Sequence, residues 1–308
     1  LADTDLRIIC GPTAAGKSVI ALSLAEREPT TIVSADSRQI YRRFDIGTAK
    51  PTTAERARVP HRGVDIVDPT ERYSAALWAE DATRWIAEAI DARRTPVVVG
   101  GTGFYLRALV EPLFEEPPLE ATRRARLAQV LDGMSTPELR RWCERLDPSR
   151  AHLGRTQLLR AIEISLLTGY PISAWYRKEA RTGTIRARWL VLNPRPPVLA
   201  RRIEERALAM IGAGWEDEVR ELMQTVPENA PAWNATGYGA VRERVRGALT
   251  RDAMLSQIIV ETRQYAKRQR TWFRHQLPAD GVTWIDPIED RAIELVERWW
   301  IEGKGDPR

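Results

Sequence analysis

The chain has 308 residues, 43% of them hydrophobic and 29% charged, with a formal net charge of +5. That supplies a substantial core, while no run approaches 18 uninterrupted apolar residues, which excludes a membrane-spanning helix. Two cysteines far apart in sequence, Cys10 and Cys143, read as buried thiols of a reducing compartment with a disulfide as the minor alternative, and three histidines without ligand spacing argue against a zinc site.

The first element is an apolar strand over residues 6–10, and a helical pattern runs over residues 18–28. Between them stands Gly11-Pro12-Thr13-Ala14-Ala15-Gly16-Lys17-Ser18, a G-x-x-x-x-G-K-S loop in the strand-to-helix context the motif requires. Glycines let the backbone curl, and the curl aims several N–H groups at one anion. The helix N-terminus adds its partial positive charge, Lys17 a full one, and the Ser18 hydroxyl a ligand for Mg²⁺. The loop predicts a bound polyphosphate and leaves open whether this is a nucleotide or another diphosphate.

A second strand is expected at residues 31–35, followed at its carboxyl end by Asp36-Ser37-Arg38-Gln39. In an open parallel sheet that position faces ligand, which favours chemistry at Asp36 over a helix-capping role. A polar loop with Gly47 and Pro51 follows, and residues 64–69 read as another strand and turn. A helix is expected over residues 74–92, then a buried valine strand ending in Gly100-Gly101-Thr102-Gly103. This alternation predicts a doubly wound α/β core.

A Pro-rich connector near residues 111–118 introduces a stretch that is helical in pattern to about residue 178, with helices over 121–131, 136–146 and 155–168. Its basic residues suit either a polyanion or an ordinary solvated face. A strand returns at residues 189–194, and a long amphipathic helix is read over residues 199–222. Arg202 and Arg206 are four apart and share a face, where they can grip phosphate or be neutralised by Glu204 and Glu205. A turn is expected at 234–239 and a helix at 255–276, with Arg263, Lys267 and Arg270 on one side and Tyr265, Trp272 and Phe273 interleaved. Basic groups and flat rings suit RNA, and a helix with core aromatics and a solvated edge is the alternative. The tryptophans of the final strand and helix, residues 284–300, read as packing.

Five segments then match one family in order. They are the loop Gly11 to Ser18, Asp36-Ser37-Arg38-Gln39-Ile40-Tyr41, Asp45-Ile46-Gly47-Thr48-Ala49-Lys50-Pro51, Gly100-Gly101-Thr102-Gly103-Phe104-Tyr105, and Tyr265-Ala266-Lys267-Arg268-Gln269-Arg270-Thr271-Trp272-Phe273. With them the chain resembles the bacterial tRNA dimethylallyltransferases, also called tRNA isopentenyltransferases. The resemblance implies transfer of a dimethylallyl group from dimethylallyl diphosphate to N6 of adenosine 37 in the tRNA anticodon arm, releasing pyrophosphate, with Mg²⁺ as cofactor. It implies a diphosphate site of Gly11, Thr13, Ala14, Ala15, Gly16, Lys17, Ser18, Arg202 and Arg206, with Ser18 on the metal. Catalysis would fall to Asp36 as general base with Lys17, Thr102 and Arg202. Contacts to tRNA would come from Asp36, Ser37, Arg38, Gln39, Thr102, Thr156, Gln157, Arg160, Lys267 and Arg270. The chain departs from the family pattern at Gln157, where an Arg is usual, and at Gly239 and Ala240, where a basic and then an acidic residue are usual.

The expected architecture is therefore α/β, a P-loop NTPase-like parallel sheet flanked by helices. It comprises a core over residues 1–114 and 186–308 and a tRNA-contacting helical insertion over 115–185. The N-terminus lacks the form of a secretory signal, so the protein is expected in the cytoplasm, and nothing in the sequence asks for more than a monomer. The rival readings are an ATP-dependent kinase of a small metabolite, which leaves the basic-aromatic helix without a purpose, and a non-catalytic RNA-binding module.

Overall fold

A computed structural model describes residues 5–111, 119–178 and 185–302. The chain divides into two compact units, Leu1–Glu111 with Ile185–Arg308, and Pro112–Thr184. The first is built on a six-stranded sheet of order β3-β2-β4-β1-β5-β6, parallel throughout. The strands are β1 (Leu6–Cys10), β2 (Thr30–Ala35), β3 (His61–Arg62), β4 (Thr95–Gly100), β5 (Ala187–Leu192) and β6 (Val282–Ile285). Both β1 and β2 are buried along their whole length, as strands with helices on both faces are; β1 is a near-continuous apolar run, whereas β2 buries Thr30, Thr31 and Ser34. Arg7 is the exception on β1, and its guanidinium donates to the Trp300 carbonyl at 3.2 Å while stacking over that indole.

Register is what creates the site. Cys10 pairs with Gly100, and Gly100 with Ala35, so three strands end level. The residues that follow them, Gly11, Gly101 and Asp36, leave the sheet on one edge. This is the edge where ligands bind in open parallel sheets.

The helices of this unit, in chain order, are α1 (Lys17–Ala25), α2 (Thr53–Arg58), α3 (Ala75–Asp91) and α4 (Gly103–Val110). The second unit holds α5 (Ala121–Asp132), α6 (Thr136–Leu146), α7 (Arg155–Thr168) and α8 (Ile172–Lys178), around a core of Leu139, Cys143, Leu158, Ile162 and Ile164. The first unit then continues with α9 (Pro196–Gly212), α10 (Trp215–Thr225), α11 (Tyr238–Val245), α12 (Arg251–Gln276) and α13 (Ala292–Ile301). Both cysteines are free and buried. Among the described residues, no helix is long and apolar enough to cross a membrane.

Four readings of the sequence need correction. The strand expected at 64–69 is displaced to His61–Arg62, and of that stretch only Val67 forms a bridge, to Tyr41. Gly63 and Asp65 adopt positive φ (76° and 57°), which breaks the extended backbone, and the Asp65 carboxylate is held there by Lys50 and Arg56. The helix read over 199–222 is two helices, because Gly214 takes φ 95° and stops α9. Glu216, Asp217 and Glu218 then favour a fresh start at the positive end of α10. The turn at 234–239 already opens α11 at Tyr238. Of the tryptophans read as packing, Trp299 and Trp300 are buried, whereas Trp284 is 42% exposed.

Candidate active site

The phosphate loop takes its shape from three positive φ values, 141° at Gly11, 60° at Ala14 and 97° at Gly16. Gly11 has a second constraint, since a Cβ there would lie 2.3 Å from the Leu192 carbonyl oxygen on neighbouring β5. The Lys17 ammonium donates to the Pro12 carbonyl at 2.7 Å, beneath the loop it serves. Burial pushes that ammonium down to about 8, opposed by Asp36 and reinforced by Arg206. Ser18 is exposed at the start of α1, and its hydroxyl makes no hydrogen bond among the described residues.

Two arginines of α9 reach this loop's surroundings. Arg202 donates to the Ala15 carbonyl at 3.3 Å. Arg206 lines the adjoining pocket, and its pKa is lowered by burial against the pull of Asp36. Among the described residues neither arginine has a carboxylate in ion-pair contact. Glu205 instead pairs with Arg201 at 3.5 Å on the exposed side of the helix. An unpaired, desolvated guanidinium is costly unless a ligand anion arrives.

Asp36 begins no helix. Its Oδ1 accepts the Arg38 N–H at 2.8 Å, an Asx turn that aims the carboxylate from the end of β2. Its other oxygen has no hydrogen-bond partner among the described residues. Thr102, at the end of β4, accepts the Ser37 N–H at 3.0 Å and donates its own N–H to the Ala35 carbonyl at 3.1 Å. Asp36 and Thr102 are thereby bound into one turn pair. Gln39 faces inward: its Oε1 accepts from Ser34, and its Nε2 donates to the Thr48 and Ala49 carbonyls. Its amide is thereby spent on tying β2 to the 44–50 loop.

One pocket joins these parts. Its lining combines Thr13, Asp36, Arg38, Arg206 and Tyr265 with Ile203, Ala207, Met210, Trp215 and Ile258. Burial pushes the Tyr265 phenol up to about 12, Asp36 adding to the shift and Arg38 opposing it. Trp215 is 1% exposed and is clasped by Gly47 and Gly237, where any Cβ would approach its ring within 2.3 Å and 2.5 Å.

The three aromatic residues of α12 part ways. Tyr265 lines the pocket, Trp272 packs where a Cβ on Gly103 would stand, and Phe273 is core at 1% exposure, so base stacking by Phe273 is ruled out by burial. Arg263 and Lys267 are exposed and Arg270 is half-buried, and none forms an ion pair among the described residues. In the second unit, Thr156 and Gln157 are exposed on α7. Gln157 accepts the Gly154 N–H at 3.1 Å and so caps its own helix, while Arg160 pairs with Glu163 at 2.9 Å.

Sequence reasoning missed Gln269 and Glu218. Gln269 accepts from Thr13 and donates to the Gly101 carbonyl, both at 2.8 Å. Glu218 accepts the Asp45 and Ile46 N–H groups and the Tyr238 hydroxyl, which braces the 44–50 loop. A signal existed for Gln269: it is polar at helical spacing between Tyr265 and Phe273, both on the inward face.

A Gly-rich loop between a buried parallel strand and a helix, with Lys17 beneath it and two unpaired arginines beside it, defines an α/β protein of the P-loop class. The sequence pattern of the IPP transferase family matches residues 39–276. The chain is 45% identical over 296 residues to the tRNA dimethylallyltransferase of Halorhodospira halophila, covering 94% of this chain and 96% of that protein. It is 37% identical over 308 residues to that of Acaryochloris marina, covering 98% of each. The tRNA isopentenylpyrophosphate transferase of Bacillus halodurans superposes with a TM-score of 0.69 at 31% identity, over 98% of this chain and 97% of that one. A eukaryotic dimethylallyltransferase acting on tRNA shares the fold, with a TM-score of 0.82 at 22% identity, over 99% of this chain and 81% of that one. The chain belongs to the IPP transferase family, the tRNA dimethylallyltransferases.

Proposed function

We propose that the protein transfers a dimethylallyl group from dimethylallyl diphosphate to N6 of adenosine 37 in the anticodon arm of tRNA, releasing pyrophosphate. The observation that carries this reading is the mixed lining of the pocket beside the phosphate loop, with Arg206 and Asp36 next to Ile203, Met210, Trp215 and Ile258. A prenyl diphosphate needs an anion cradle continuous with apolar surface. No observation specifically favours the kinase reading.

The chemistry follows from the groups present. The bond between the prenyl C1 and the diphosphate oxygen breaks, and its electron pair stays on the leaving group. Loop N–H groups, Lys17, Arg202 and Arg206 meet that growing charge. The N6 lone pair forms the new C–N bond, and N6 gives its proton to Asp36. An exocyclic adenine amine is a weak nucleophile, so removal of this proton as the bond forms lowers the barrier. Thr102, tied to Ser37, orients the amine beside that base.

A divalent cation fits the donor set. Among the described residues no group of three or more His, Cys, Asp or Glu could hold a metal alone, and Ser18 presents one unbonded hydroxyl. Magnesium, which is held by few protein ligands plus phosphate oxygens and waters, suits such a site. When bound it would neutralise charge on the diphosphate.

The target adenine must leave its stack to enter the pocket. The unpaired Arg263, Lys267 and Arg270 on α12 support backbone contact with tRNA, and exposed Thr156 and Gln157 on α7, with Arg160 beside them, are the corresponding groups of the second unit. The proposed substrate, tRNA, places the enzyme in the cytoplasm, and the reading asks for no more than a monomer. The test is the mass of nucleoside 37 in tRNA incubated with the protein and dimethylallyl diphosphate. A gain of one dimethylallyl group is expected, and phosphate transfer from labelled ATP without prenyl incorporation would overturn the reading.

A further inference from the structure

We propose that Gln269 is a positioning residue that sets the distance between the diphosphate loop and the turns that hold the target amine. The inference rests on the prenyl-transfer reading of the site. Gln269 lies on α12 and is 7% exposed. Its Oε1 accepts the Thr13 N–H at 2.8 Å, and its Nε2 donates to the Gly101 carbonyl at 2.8 Å. Both partners are main-chain atoms of the two glycine-rich turns, so one planar amide spans them at a fixed separation.

The span matters because of what each turn carries. Thr13 is part of the loop that would hold the diphosphate, and with it the prenyl C1. Gly101 precedes Thr102, which accepts the Ser37 N–H at 3.0 Å next to Asp36. A shift of Gly101 therefore passes directly to Thr102 and Ser37. The packing leaves no slack: a Cβ on Gly101 would stand 2.3 Å from Gln269 Nε2 and 3.2 Å from the Gly11 carbonyl oxygen. A buried amide deprived of either partner carries a desolvation penalty, so neither turn slides freely past the other. In-line attack requires the reacting atoms near contact, and a displacement of about 1 Å costs on the order of 10²-fold in rate. The Thr13 N–H is meanwhile committed to Gln269, which leaves the phosphate to the loop amides that follow it.

Two variants test this. Gln269→Met keeps the length and apolar burial but has no amide. We expect kcat to fall about 10²-fold and KM for dimethylallyl diphosphate to rise about tenfold, with KM for tRNA within about twofold. Gln269→Glu keeps an acceptor for Thr13 and loses the donor to Gly101, so kcat falls comparably, and it carries the test if Gln269→Met does not fold. Direct titration with pyrophosphate gives a readout independent of the acceptor: affinity in Gln269→Met falls about tenfold whichever molecule is prenylated. Failure of the wild-type protein to prenylate tRNA, with this affinity loss intact, would sink the functional reading and spare the bridge. Wild-type constants in both variants would overturn the proposal. So would a kcat loss that matches the loss of folded protein at unchanged KM.

Discussion

The phosphate loop and the turn bearing Asp36 leave the same sheet edge, yet they are held by different means. The loop is shaped within a contiguous stretch, by three positive φ values between Gly11 and Gly16 and by Lys17 bonded to the Pro12 carbonyl. Asp36 is aimed by a local Asx turn, but its neighbours come from elsewhere: Thr102 lies 65 residues along the chain from Ser37, and Tyr265 and Arg206 arrive on α12 and α9. An anion cradle can be a local motif because backbone N–H groups supply it. A general base is useful only against a second reactant, so its position is a tertiary quantity.

The largest expected effect tests the tertiary half. Asp36→Asn keeps the shape and removes the proposed base, and kcat should fall about 10²–10⁴-fold. Affinities for tRNA and pyrophosphate should stay within a few fold, as read by single-turnover prenyl transfer and direct binding. Retained turnover would dissolve the distinction between the two halves.

On the cradle side, Arg206→Met should weaken pyrophosphate binding about 10–100-fold, the loss of one desolvated charge-assisted contact. Calorimetric titration measures it, and unchanged affinity would remove Arg206 from the diphosphate site. A pH effect follows from Lys17. Burial lowers its pKa in the free protein from 10.5 to about 8, and a bound diphosphate favours the charged form and raises it again. The Lys17 contribution to pyrophosphate affinity is therefore full below about pH 8 and declines as pH rises through that value. Above it, binding takes up close to one proton, detectable by titration in two buffers of different ionisation enthalpy.

The smallest effect concerns the exposed face of α12. Lys267→Ala should lower tRNA affinity modestly and reduce the slope of log affinity against log salt by about one. An unchanged slope would mean that this face does not meet phosphates.

Much of this was legible from residue order. Helix α6 and helix α7 begin and end at the expected residues, because Ser135 with Glu138 caps one and Gly169 stops the other. Buried thiols, the valine strand β4 and the capped helix after Ser74 were equally plain. What misled was subtler. The break at Gly214 hid inside a continuous amphipathic pattern, and the apolar stretch at 64–69 looked like a strand although Lys50 and Arg56 bend it around Asp65. Phe273 alternated with basic residues as a stacking ring would, yet its side chain turns into the core.

By itself the sequence determined the local chemistry: a loop that must curl at glycine, a lysine and a serine delivered by it, and two arginines one helical turn apart. These depend on backbone sterics and on the 3.6-residue period, which act over short stretches of chain. Only the tertiary structure decided which arginines are unpaired, that Cys10, Ala35 and Gly100 end level, and that Gln269 ties two turns with one amide. Those facts depend on strand register and on which helix packs over which turn. Contacts separated by 256 and 168 residues leave no mark in the spacing of either partner.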